Sequence, residues 1–120
     1  MHKFKVRFIA DTNSKRERGL MWADPLQDDE AVLFIFPYTD RHCFWNKNVS
    51  FPLSLAFLNE QGIIVDIKDM EADSTERCEP NGHIRYVIEA KKGAFDKNDI
   101  GIGDIVKYVD HELHVHNIKQ

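Results

Sequence analysis

The residues best suited to chemistry fall in three short stretches: "RGLM" at 18–21, "HCFWNKNV" at 42–49 and "YVIEA" at 86–90. On an extended backbone, "CFWNKNV" turns Phe44, Asn46 and Asn48 to one side and Cys43, Trp45, Lys47 and Val49 to the other. The Trp45 indole and the Lys47 ammonium are then neighbours. Such a pair can cradle a flat or anionic ligand by stacking and a point charge. Alternatively, Trp45 fills the core, Lys47 lays its stem along apolar surface and Asn48 shapes the turn before Pro52. Burial is the commoner fate of Trp in a small domain. The stretch is therefore read as partly core and partly site, with Trp45 anchored and Lys47 and Asn48 lining a groove. Arg18, beside Gly19, could clamp a carboxylate or phosphate bidentately, although pairing with a surface acid is the more frequent role of an Arg. Glu89 interrupts an apolar strand. Partly buried, it would carry a raised pKa unless paired with Lys47 or Arg18; turned outward by simple alternation, it would be solvated.

Two further signals are weaker. "DHELHVH" at 110–116 is not a zincin motif, because its second His follows Glu112 by two residues. On a strand Glu112, His114 and His116 share a face that could ligate a metal, but a polar face on a frayed terminal tail is the simpler reading. No metal and no cofactor is expected. Cys43 follows His42 directly, yet adjacent strand residues point to opposite faces, so the two do not make a dyad unaided. His83 lies in a loop from which it could approach Cys43 or Cys78.

The elements that must position these residues follow from periodicity. "KFKVRFI" places Phe4, Val6 and Phe8 on one face and Lys3, Lys5 and Arg7 on the other, as a half-buried strand does. Ser14 and Glu17 have capping-box spacing at the start of a short helix, which must stop by Asp24 because Pro25 follows. Strands are predicted at 3–9, 31–36, 52–59, 63–70, 85–92 and 104–109, with "NEQG" turning between the third and fourth. Residues 71–84 form a long polar loop, "AFDKND" makes one helical turn, and "DHELHVHNI" extends or pairs with the last strand. The fold class is α+β, mainly β: a compact small sheet or barrel-like domain with one short helix packed against it.

A chain of 120 residues, 42% hydrophobic, suits one domain over 1–120. The opening "MHKFKVRF" alternates where a secretion signal would need a continuous apolar run. No apolar run approaches the roughly 20 residues that cross a bilayer. A net charge of −4 without a basic block argues against nucleic acid as a partner. These features imply a soluble, cytoplasmic protein without membrane attachment, with Cys43 and Cys78 as free thiols.

"RGLM", "LFIF" at 33–36, "FWNKN" with "PLSLAFLN", and "YVIEAKKG" leading to "GIGDIV" form an ordered series. The series resembles the bacterial and archaeal family called domain of unknown function 192, over residues 4 to about 109, with 110–120 as a His-containing strand or tail. The resemblance implies a β-rich α+β domain and no assigned activity. The family pattern reads Met where this chain has Asn46 and Asp where it has Ser54, and many relatives begin with an export segment. If the Asp serves a shared chemistry, Ser54 cannot replace its charge. The reading that results is a small binding or accessory module whose groove, lined by Arg18, Trp45, Lys47, Asn48 and Glu89, takes a small anionic molecule or a peptide. A small hydrolase or lyase using a carboxylate or thiol in the same groove is the alternative; no acid, base and nucleophile set is evident for it.

Overall fold

The structure, a computed structural model, describes residues 1–117. The elements run β1 (His2–Ala10), α1 (Asn13–Arg18), β2 (Glu30–Asp40), β3 (Leu53–Leu58), β4 (Ile64–Met70), β5 (Ile84–Lys91), α2 (Ala94–Lys97), β6 (Ile105–Val109) and β7 (Glu112–His116). The strands form one curled, half-barrel sheet in the order β4-β3-β5-β2-β1-β7-β6. Only β1 and β2 run parallel; the other neighbours are antiparallel. This is the mainly β, α+β architecture that the alternation of apolar residues implies. The tail differs from the expectation of fraying, since β7 is paired on both sides, by β1 and β6. Its buried Leu113 and Val115 explain the anchoring. The last three residues of the tail, 118–120, lie outside the described residues.

The curl separates two apolar clusters. Phe4, Leu58, Ile64, Ile88, Phe95 and Leu113 pack within it. Val32, Phe34, Leu53, Leu55, Phe57 and Val87 face the other way and are covered by the segments around Leu20, Leu26 and Val49. One prediction from alternation needs correction. Phe4 and Val6 face the inner cluster, but Phe8 packs with Ala10 against the outer one. The β1–β2 register shifts between Val6 and Ile9, and such a bulge reverses the facing of every later side chain.

The ends of the sheet are tied where the β3–β4 turn meets β6. Ile63 bridges Ile105, and Val106 donates its N–H to the Gly62 carbonyl at 2.8 Å. Gly62 has φ +80°, and a Cβ there would lie 2.8 Å from the Val106 oxygen. Substituting Gly62→Ala combines left-handed strain with that collision, so it should cost about 1–3 kcal/mol. Urea melts measure this directly, and parent-like stability would show that the tie does not hold the sheet ends.

Helix α1 starts earlier than the Ser14–Glu17 spacing suggests and ends at Arg18, well before Pro25. Its N-cap is Thr12, whose hydroxyl accepts the Lys15 N–H at 3.2 Å, and Gly19 ends it with φ 49°. Ser14 lies inside the helix. Arg16 fixes the helix to β2 by donating to the Ile35 carbonyl at 2.7 Å and to Asn13 Oδ1 at 2.7 Å, with its guanidinium over the Phe36 ring. Among the described residues no helix is long and apolar enough to cross a membrane.

Candidate functional site

Alternation along β5 sends Ile88 and Ala90 into the curl and Val87 to the outer cluster. Glu89 therefore emerges on the outer face, in register with Val32 of β2 and Leu55 of β3. It is 4% exposed. Its carboxyl makes no hydrogen bond or ion pair with any described residue, so neither Lys47 nor Arg18 is its partner. Desolvation in these apolar surroundings pushes it up to about 8. At neutral pH the group is mostly a neutral acid.

A cavity of about 330 Å³ opens above Glu89, between the end of α1 and the segment 43–49. Phe34, Phe36, Phe44 and Met21 supply apolar wall. Arg18, Trp45 and Lys47 line the same cavity and are exposed, so they stand at its mouth while Glu89 forms its floor. The Arg18 guanidinium has no hydrogen-bond or ion-pair partner among the described residues. Lys47 lies 5.3 Å from the Trp45 ring centroid, a cation–π contact on an open surface. Glu17 also reaches the rim, but Arg16, Arg18 and Lys47 outnumber it. Four of the residues read from sequence thus meet in one cavity. Asn48 does not line it; φ 59° places Asn48 in a left-handed turn whose carbonyl accepts the Trp22 N–H at 2.9 Å.

The anchoring assigned to Trp45 is overturned. Trp45 is 47% exposed. Phe44 and Asn46, on either side of it in the chain, hold the segment instead. Phe44 packs edge-on against Phe34, with ring centroids 5.1 Å apart, and also meets Phe36 and Phe57. Asn46, 1% exposed, donates its side-chain amide to the carbonyls of Phe51 at 3.0 Å and Glu71 at 2.9 Å. Asn46 is therefore a clamp between the segment and the long loop. Alternation separated Phe44 and Asn46 from Trp45 and Lys47 but assigned burial to the wrong pair, and it fails at the turn, where Val49 is buried in the outer cluster and Asn48 is exposed.

Ser54 has no part in this cavity. It faces away from Glu89, accepting the Gly93 N–H at 2.9 Å and donating to Asp69 Oδ1 at 2.7 Å. Asp69 lies directly opposite it on β4, so a carboxylate is present there although the strand residue is Ser. Ser54 therefore bears on the opposite face of the sheet from Glu89.

Cys43 lines the Glu89 cavity, and its sulfur accepts from Arg77 Nε at 3.3 Å. His42 turns elsewhere, stacking on Phe36 with centroids 3.7 Å apart and placing Nε2 2.9 Å from the Tyr38 carbonyl. No His42–Cys43 dyad forms. Both thiols are free, and burial pushes the Cys78 thiol up to about 11. Among the described residues no group of three or more His, Cys, Asp and Glu could hold a metal. The contact between His114 and Glu112, 3.3 Å, lies on the sheet away from the cavity.

Sequence reasoning missed Phe34, Phe36 and Cys43 as wall, and it missed Trp22. Trp22 is 73% exposed with φ 59°. It lines a second, outer cavity with Trp45 that shares Glu17, Arg18 and Met21 with the first. Spacing i, i+2 in "LFIF" could have paired Phe34 with Phe36; nothing local marks Trp22.

A curled sheet carrying an acid-floored cavity on its outer face defines this as a small β-rich domain with a candidate ligand site. The chain belongs to the DUF192 family, described as Uncharacterized ACR, whose model matches residues 1–108. A structure from Sinorhizobium meliloti 1021, provisionally described as a transcription regulator, is 27% identical with a TM-score of 0.84 and covers 95% of this chain and 83% of its own. A protein of unknown function from Novosphingobium aromaticivorans DSM 12444 is 25% identical with a TM-score of 0.85, covering 89% of this chain and 76% of its own. No curated protein matches the chain.

Proposed function

We propose that this protein is a binding or accessory module whose outer-face cavity takes a small anionic molecule or an acidic peptide end. One observation carries the reading: an unpartnered, almost wholly buried carboxyl, Glu89, sits beneath a mouth formed by Arg18 and Lys47. A desolvated polar group without a partner is costly to keep, and such groups concentrate where a ligand completes them. Arg18 and Lys47, neither of them ion-paired with any described residue, favour a negative charge at the mouth. With a net charge of −4, phosphate neutralisation along a nucleic acid is the weaker use of these cations.

A second reading, a hydrolase or lyase, draws on Cys43 in the same cavity and on Arg77 beside its sulfur. His42, turned to Tyr38, does not serve it as a base, and Glu89, which shares the cavity, is mostly a neutral acid at neutral pH. Titration calorimetry with acetate, succinate and inorganic phosphate tests the binding reading. At least one anion should bind, and Arg18→Ala and Lys47→Ala should each weaken it about tenfold, the loss of one charge-assisted contact. Binding unchanged by both substitutions would place the anion elsewhere and remove the reading.

A further inference from the structure

Resting on the anion-site reading, the depth order of the cavity goes further and specifies what the ligand carries between its ends. The floor is a single unpartnered carboxyl, the wall is aromatic, and the charge is confined to the mouth. A simple inorganic anion would satisfy the mouth and leave the other two unused. Phe34, Phe36 and Phe44 offer ring faces and edges, and Met21 a thioether, all of which suit a flat aromatic ring. Glu89 beneath them can hydrogen-bond a hydroxyl in either of its protonation states. About 330 Å³ is room for a single substituted ring.

We propose that the cavity binds a hydroxyaryl carboxylate, with the hydroxyl on Glu89, the ring against Phe34, Phe36 and Phe44, and the carboxylate at Arg18 and Lys47. This chemistry has two sources: a free hydroxyaryl acid, or the C-terminal tyrosine of a peptide. The outer cavity separates them. Trp22 and Trp45 present exposed indoles there, continuous with the first cavity through Arg18 and Met21. Only a ligand that extends past the mouth would reach Trp22. Holding a bulky residue at φ 59° costs conformational energy, which the N–H of Trp22 on the Asn48 carbonyl helps to offset.

The test is titration, followed by tryptophan fluorescence and calorimetry, with 3-(4-hydroxyphenyl)propanoate, its deoxy analogue 3-phenylpropanoate, its primary amide, and the tripeptide Gly-Gly-Tyr. The hydroxy acid should bind at least tenfold more tightly than the deoxy acid and than the amide. Glu89→Leu should abolish the preference for the hydroxyl and keep the preference for the carboxylate. Lys47→Ala should keep the preference for the hydroxyl and reduce the preference for the carboxylate, which Arg18 still holds. Trp22→Ala should weaken Gly-Gly-Tyr alone if the peptide is the source, and neither ligand if the free acid is. Equal binding of hydroxy and deoxy acids, or a preference that survives Glu89→Leu, overturns the proposed class. Arg18- and Lys47-dependent binding of acetate, succinate or phosphate without binding of the aryl acids would sink this class and leave the anion site standing. If nothing binds to the folded protein, both fail.

Discussion

Between pH 4.5 and pH 8, the stability of Glu89→Gln relative to the parent chain is expected to rise by about 3–5 kcal/mol. In the folded parent the carboxyl holds its proton up to about pH 8, whereas the unfolded chain releases it near 4.5. The folded state therefore binds the extra proton across this window. A group with a raised folded pKa gives its full contribution below the unfolded value, and that contribution is lost as pH rises through the folded one. The amide of Gln does not titrate. Its own burial cost is the same at every pH and cancels in the change. Glu30 acts in the opposite sense in both proteins, because the hydrogen bond from Arg7 holds its carboxyl below the ordinary range, and it weakens the fold only as pH falls. Urea melts of the two proteins at several pH values isolate the Glu89 contribution. A flat difference would mean that Glu89 is solvated or paired.

Phe44→Ala should cost about 3 kcal/mol, and Trp45→Ala less than about 1 kcal/mol. The contrast inverts the usual ranking of the two residues by size. The Phe44 ring touches three other Phe rings in the outer cluster, so its removal leaves a hole beneath the segment. Trp45 is nearly half exposed and gives up little packing beyond its contact with Lys47. Denaturant midpoints of the two variants at one pH decide it. A Trp45→Ala loss as large as that of Phe44→Ala would return the indole to the core and close the mouth of the cavity.

The strands were legible because period-two alternation is a local property, and the pairing of β7 was half legible for the same reason. Which face each strand buries was harder to read. In β1 a bulge between Val6 and Ile9 reverses the facing, and no residue type there announces it. In the segment 43–49 both faces carry an aromatic, so alternation divides Phe44 from Trp45 without saying which side the sheet lies on. Asn46 misleads further, since a buried amide is recognisable only once the carbonyls of Phe51 and Glu71 are seen beside it. Arg18, Trp45, Lys47 and Glu89 were separable as candidates from their types and setting. Their meeting depends on the β2–β5 and β3–β5 registers and on the end of α1, all of which are non-local.

Everything proposed for the cavity depends on an unpartnered carboxyl at its floor. The most direct measurement is a ¹³C NMR titration of the Glu89 side-chain carboxyl in the unliganded protein. A midpoint near 8 is the predicted result. A Glu89 midpoint near 4.5 would contradict the account, because it would show a solvated or ion-paired carboxylate where the structure places a desolvated acid.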